Sequence, residues 1–252
     1  MRRVFRIALS EGSSRSLDER QARADASHQQ RTLDIEHTWQ TARRTKPLKE
    51  ALRVLCSMAG PRERCMYCGD SHGTDIEHFW PKADYPQRMF SWPNMLLGCA
   101  ECNRLKSNTF PLIDGAPGLI DISAENPWDF LDFDPVTGNI APRYSATGEP
   151  FIKGEHTTSI FHLDRREALA RGYRKTFLRL CRVVQQMLEA PEQQSYAIIG
   201  ELLEEDDHGL LGWCFEGTGY LVAPFCDLRE QYPALWQACF EAYRQSQNLP
   251  QV

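Results

Sequence analysis

Two CxxC pairs, Cys65/Cys68 and Cys99/Cys102, stand thirty residues apart in the chain. Each pair sets two thiolates on one tight turn, and two such turns facing each other form the closed tetrahedral four-thiolate set that Zn²⁺ takes in structural sites. A redox pair or an iron–sulfur cluster is the weaker reading, because a thioredoxin-like context is absent. The other five cysteines, Cys56, Cys181, Cys214, Cys226 and Cys239, sit singly in apolar surroundings and read as buried thiols acting as small hydrophobes. Four thiolates leave zinc no open position, so the ion staples the fold and any chemistry must lie between the pairs.

The residues between and around the pairs set the architecture. Residues 61–114 hold the cysteines, short strand-like stretches and turn residues, too few apolar groups for an ordinary core, and so need a metal to fold. Ahead of them, residues 1–30 are polar and lack apolar periodicity, which predicts a mobile arm or a lightly packed helix. In "KPLKEALRVLCSMAG" the residues Leu48, Ala51, Leu52, Leu55 and Met58/Ala59 recur at threes and fours, with Pro47 near the start and Gly60 at the end, predicting an amphipathic helix. Between 115 and 150, short apolar runs broken by Asn-Pro, Asp-Pro and Thr-Gly predict small strands. A long helix follows, with Asp164 suited to its N-cap and Leu169, Tyr173, Phe177, Leu180, Val184 and Met187/Leu188 at helical spacing. Helical patterns near 195–205 and 228–244 complete the chain, and the acidic run "EEDD" (204–207) reads as a solvated helix end or loop. The expected class is α+β: an N-terminal arm and helices (1–60), a zinc-stapled core (61–114) and a mostly helical C-terminal region (115–252).

The chain's 252 residues are enough for one or two domains, and 42% hydrophobic with 25% charged residues fits a globular protein. A formal net charge of −5 excludes coating nucleic acid by bulk electrostatics, so such binding must use local basic surface. Candidates are "ARRTKPLK" (42–49), "PRER" (61–64) and "DRREALARGYRK" (164–175), each of which reads equally well as a solvated helix face. The sequence contains no membrane span, and Arg6 interrupts the short apolar patch of the N-terminus, so a cytoplasmic location is expected.

Between the cysteine pairs runs "DIEHFWPKADYPQRMFSWPNMLLGCAECNRLK". Its order of CxxC, an acidic residue then His, a central Asn, and CxxC followed by Asn and a nearby Lys resembles HNH nucleases of the four-cysteine kind, whose core is a ββα-metal motif. The resemblance implies phosphodiester hydrolysis with His78 as general base. It implies Glu77 and Asn103 as ligands of a divalent ion, and their oxygen donors suit Mg²⁺ or Mn²⁺. Asn94 then bonds backbone across the loop and orients the base. Relatives often carry Asp where this chain has Glu77 and His where it has Asn103, which implies weaker or altered metal binding. Lys106, Arg104 and Lys82 are the expected phosphate contacts. Taken singly, Glu77 reads as a salt-bridge partner, Asn103 as a helix cap and His78 as a core histidine; their joint spacing favours the nuclease. His72, His156 and His162 match no motif position and read as structural or surface residues.

Residues "IEHFWPK", "YPQRMFSWPNMLLGCAECNRLKSNTFP" and "HTTSIFHLDRREALARGYRK" extend a resemblance to the PtuB effectors of Septu and retron anti-phage systems over roughly 60–180. It implies DNA as substrate and an ATPase partner, which suits a chain with no GxxxxGK[ST] loop of its own. Helices within 31–59 and 165–190 are then expected to dock that partner. Two other readings stand beside it: a McrA-like restriction endonuclease, and a zinc-stapled interaction module whose nuclease centre is retired.

Overall fold

The computed structural model describes residues 1–189 and 196–248; residues 190–195 and 249–252, within the expected C-terminal region, lie outside the described residues. The chain is a mixture of helices and small two-stranded sheets and divides into two compact units.

One unit comprises residues 6–67 and 71–117. It opens with α1 (Glu11–Gln29), in which only Ser13, Leu17 and Ala24 are buried. Those three positions form a thin seam, so the polar N-terminal stretch is a lightly packed helix and not an arm. Side chains tie it down: Gln21 accepts from the Phe90 N–H at 2.7 Å and donates to the Pro86 carbonyl at 3.0 Å. Helix α2 (Ile35–Ala42) follows, N-capped by Asp34, which accepts from the His37 N–H at 2.9 Å. Helix α3 (Lys46–Ala59) buries Leu48, Ala51, Leu55, Met58 and Ala59, the stripe set by its 3.6-residue periodicity, and stops at Gly60, whose φ of 87° favours glycine. Next come strands β1 (Asp75–His78) and β2 (Met95–Gly98), paired antiparallel with Glu77 opposite Leu96 and His78 opposite Met95. All four residues of β2 are buried. Directly after Cys99 the chain turns into α4 (Ala100–Lys106), and a two-residue hairpin, β3 (Leu112–Ile113) and β4 (Ala116–Pro117), ends the unit.

The other unit comprises Met1–Phe5, Cys68–Asp70 and the chain from Gly118 onward. Its strands β5 (Leu131–Phe133) and β6 (Ile140–Pro142) pair antiparallel, which matches the turn-punctuated pattern of this region. Helix α5 (Ile152–Phe161) carries no apolar stripe; its buried face is Gly154, Thr157, Thr158 and Phe161. Small residues are required there, because a Cβ on Gly154 would meet the Phe130 carbonyl oxygen at 2.1 Å. Helix α6 (Glu167–Glu189) buries the expected Leu169, Tyr173, Phe177, Leu180, Val184 and Met187. It starts three residues beyond Asp164, which pairs instead with its neighbour Arg165, so the N-cap assignment is corrected. The remaining helices are α7 (Tyr196–Glu204), α8 (Leu210–Glu216), α9 (Phe225–Gln231) and α10 (Pro233–Asn248). Phe133, Phe177, Trp213 and Phe225 form an aromatic core with ring centroids 5.2–6.4 Å apart.

The acidic run at 204–207 is the end of α7 and the loop after it, but its carboxylates are engaged and not simply solvated. Asp206 accepts from the N–H groups of Leu210 and Leu211 at 2.7 and 3.0 Å and so anchors the start of α8. Glu205 and Asp207 both pair with Arg179 on α6. Of the five single cysteines, Cys214 and Cys239 are buried, whereas Cys56, Cys181 and Cys226 are half-buried. No helix among the described residues is long and apolar enough to cross a membrane.

Candidate metal centre and active site

The Sγ atoms of Cys65, Cys68, Cys99 and Cys102 all lie within 4.8 Å of one another, and all four residues are buried. Sulfurs at ~2.3 Å from one Zn²⁺ at tetrahedral corners stand ~3.8 Å apart, so this cluster fits a shared ion of that kind. Local folding brings them together. Cys99 is the N-cap of α4, and its sulfur accepts from the Cys102 N–H at 3.4 Å. The Met66 N–H, within the first pair, donates to the Leu97 carbonyl at 2.9 Å, tying that turn to β2.

Strand β1 carries Glu77 and His78 as its last two residues, so their side chains leave opposite faces. Glu77 turns toward α4. Its Oε1 accepts from the Lys106 ammonium at 2.9 Å, and Lys106 also donates to the His78 carbonyl at 2.7 Å. Both members of the pair are buried, with side-chain exposures of 0% for Lys106 and 9% for Glu77. Burial pushes the Glu77 carboxyl up and the Lys106 ammonium down, and their contact opposes both shifts. Gly98 makes room for this arrangement: a Cβ there would lie 3.1 Å from the Glu77 Cβ.

His78 turns the other way, under the edge of Trp39 on α2, with ring centroids 4.4 Å apart and planes at 72°. Its Nε2 lies 2.9 Å from the Met89 carbonyl oxygen. A carbonyl only accepts, so Nε2 bears the hydrogen and Nδ1 of the neutral ring keeps its lone pair. Burial lowers the His78 pKa to about 3, helped by the nearby cations Lys82 and Lys106 and opposed by the Met89 hydrogen bond, so the ring is neutral at physiological pH.

Asn94 fastens the loop behind the histidine. Its Oδ1 accepts from the Trp80 N–H at 2.7 Å, and its Nδ2 donates to the carbonyls of Trp80 and Arg88, each at 3.0 Å. Arg88 directly precedes Met89, the residue that receives the imidazole N–H. Replacing Asn94 with Ala strands three backbone groups and is expected to cost roughly 2–3 kcal/mol, read as a lower urea midpoint. A variant as stable as the parent would show that water replaces all three bonds.

The other residues singled out from the sequence are less concentrated. Asn103 lies one helical turn before Lys106 on the same side of α4 and is half-buried. Arg104 is exposed. Lys82 pairs with Glu36 on α2 at 3.3 Å and keeps 25% of its side chain exposed. Lys106 is not at the surface, which differs from the phosphate contact expected of it. The salt-bridged Glu77 and the buried His78 also match the plainer readings given above for each residue alone. Sequence reasoning missed Trp39, the Met89 carbonyl and the Arg6 guanidinium, which donates to the carbonyls of Trp92, Pro93 and Met95 at 3.2, 2.7 and 2.5 Å. Of these only the Trp in "IEHTWQTA" left a signal, as a large aromatic in an otherwise polar helix.

No protein-family model matches the chain. Among proteins of curated identity, the Septu protein PtuB of Bacillus thuringiensis is 27% identical over 135 residues, which is 51% of this chain. The chain thus spans about half the length of that relative, 48% of it. The two observations that stand together are a buried four-cysteine cluster fit for a metal such as zinc and a distant similarity to the Septu protein PtuB.

Proposed function

We propose that this protein is a metal-dependent HNH endonuclease that hydrolyses phosphodiester bonds of DNA and serves an anti-phage defence system alongside an ATPase partner. The observation that carries the reading is His78, its Nε2 held 2.9 Å from the Met89 carbonyl oxygen, at the end of a strand followed, through β2, by a helix that starts at the second cysteine pair. In this reading β1, β2 and α4 are the ββα-metal core, and zinc on Cys65, Cys68, Cys99 and Cys102 holds its ends. The defence setting and the partner rest on the similarity to PtuB.

His78 is the general base. Its Nδ1 takes the proton from a water aimed at phosphorus, while the Nε2–H bond to Met89 fixes the ring and disperses the charge that develops on it. Asn94 acts through the loop, as a positioning residue. The Glu77 carboxylate and the Asn103 amide supply oxygen donors of the kind Mg²⁺ or Mn²⁺ accepts. Bound there, such an ion would neutralise charge building on the phosphoryl and leaving oxygens. Trp39 lies over the imidazole, so the indole governs how water and substrate reach it.

A specific observation favours a second reading. Glu77 is the one carboxylate at the proposed ion site, and Lys106 already neutralises it; this is also what a retired, purely structural centre would look like. Nicking of supercoiled plasmid by the purified chain, with Mg²⁺ or Mn²⁺ supplied or withheld and zinc quantified in each sample, separates the two. His78→Ala is expected to lower cleavage at least ~10²-fold with zinc content unchanged. Absence of cleavage by the parent chain with the partner ATPase also present would establish the retired module.

A further inference from the structure

The structure leaves the proposed nuclease short of phosphate-binding charge where the sequence placed it. Lys106 is buried, Lys82 is paired with Glu36, and of the three only Arg104 is exposed and without an ion pair to a described residue. A chain of net charge −5 cannot hold DNA by its overall field, so a local array must do so.

We propose that the outward face of α3, formed by Lys46, Lys49 and Arg53 and extended by Arg44 in the turn before it, receives the phosphodiester backbone of duplex DNA. Residues i, i+3 and i+7 share one side of a helix, and here that side is the exposed one, because Leu48, Ala51, Leu55 and Met58 are buried on the other. None of Arg44, Lys46, Lys49 or Arg53 makes a salt bridge to a described residue. The one acid between residues 43 and 53 is Glu50, and its oxygens are directed to the start of α1. Oε1 accepts from the Ser10 N–H at 2.8 Å, and Oε2 accepts from the hydroxyls of Ser10 and Ser13 at 3.1 and 2.7 Å. Glu50 also feels the charge of Arg53, but its hydrogen bonds go to Ser10 and Ser13, so the face keeps a net positive charge.

Its position suits the proposed chemistry. Arg43, just ahead of α3, pairs with Asp75, the first residue of the strand that ends in His78. Three residues of strand span ~10 Å, so the basic face begins near the site. Arg43, Lys49, Asp75 and Ile76 also line one small cavity of about 60 Å³. From Lys46 to Arg53 the helix rises ~10 Å, the axial reach of about three phosphates on one strand. This inference rests on the nuclease reading, and its test is chosen to be independent of cleavage.

The test measures anisotropy of a short labelled duplex against salt concentration, using the full zinc-loaded chain with no Mg²⁺ or Mn²⁺ added. The variant Lys46→Gln, Lys49→Gln, Arg53→Gln is expected to bind at least ~10-fold more weakly at low salt, with the slope of log K against log salt shallower by about 2.7. A matched variant, Arg182→Gln, Arg229→Gln, Arg244→Gln, makes the same charge change at exposed positions outside the candidate basic runs and is expected to leave both unchanged. Equal losses from the two variants, or none from the α3 variant, would overturn the proposal. So would a parent chain that ignores duplex while the α3 variant loses a copurifying protein, which would make this face a partner's dock. Duplex held by α3 in a chain that never cuts would sink the nuclease reading and leave this one standing. Cleavage with unchanged binding by the α3 variant would do the reverse.

Discussion

Withdrawing the ion from the four-cysteine cluster, with a tight chelator or by Cys102→Ser, is expected to unfold the segment around the proposed active site. The strands there have four residues each and α4 has seven, lengths that are marginal without support from packing or metal. All four cysteines are at most 4% exposed, so without an ion four buried sulfurs are left crowded within 4.8 Å of one another. Structural zinc contributes about 10–16 kcal/mol to small domains of this kind, more than a small segment can replace from packing. Hydrogen exchange on the full chain before and after zinc removal reads the effect: amides of β1, β2 and α4 should lose protection. Unchanged protection in a sample shown by metal analysis to be zinc-free would mean that side-chain packing alone holds this core.

Lys106→Met is expected to destabilise the fold by ~3–5 kcal/mol, because it leaves the Glu77 carboxylate buried without its cation. Adding Glu77→Gln should recover much of that loss, since both charges are then gone and the amide can still donate or accept. The loss in the double variant minus the summed losses of Lys106→Met and Glu77→Gln alone, taken from urea melts, is the coupling of the pair. Because the contact is closed to solvent, the coupling should change little between low and high salt. A Lys106→Met loss under ~1 kcal/mol would mean that Lys106 swings outward in solution and is available to phosphate after all.

The contrast between Lys106 and the cysteines shows where the sequence was legible. Spacing alone announced the cluster, because CxxC turns have few uses, and the stripe of α3 announced that helix. Lys106 follows the second pair in a run with Asn103 and Arg104, and a lysine in such a place reads as exposed and within reach of phosphate, since lysines are almost never fully buried. Its burial depends on a partner twenty-nine residues earlier, on the neighbouring strand. Helix α5 was hidden for a different reason: its buried side is made of Gly154 and threonines, so it has no apolar period to read. Helix α8 was hidden by the opposite excess, with six of its seven residues buried and no polar face to set a phase. His208 belongs to the same class. It bonds Thr176 at 2.8 Å and Asp70 at 3.1 Å, partners that only tertiary folding brings near.

The guanidinium of Arg6 sets an order of events on the chain as it is made. Its three acceptor carbonyls flank Asn94 and lie 86 to 89 positions later, so these bonds close one of the longest loops in this unit. Long-range closures of this sort come late in folding, after local helices have formed. During synthesis Arg6 emerges well before its acceptors and must wait for them. The anchor that Arg6 gives the loop behind His78 therefore cannot form until residues 92–95 have been translated.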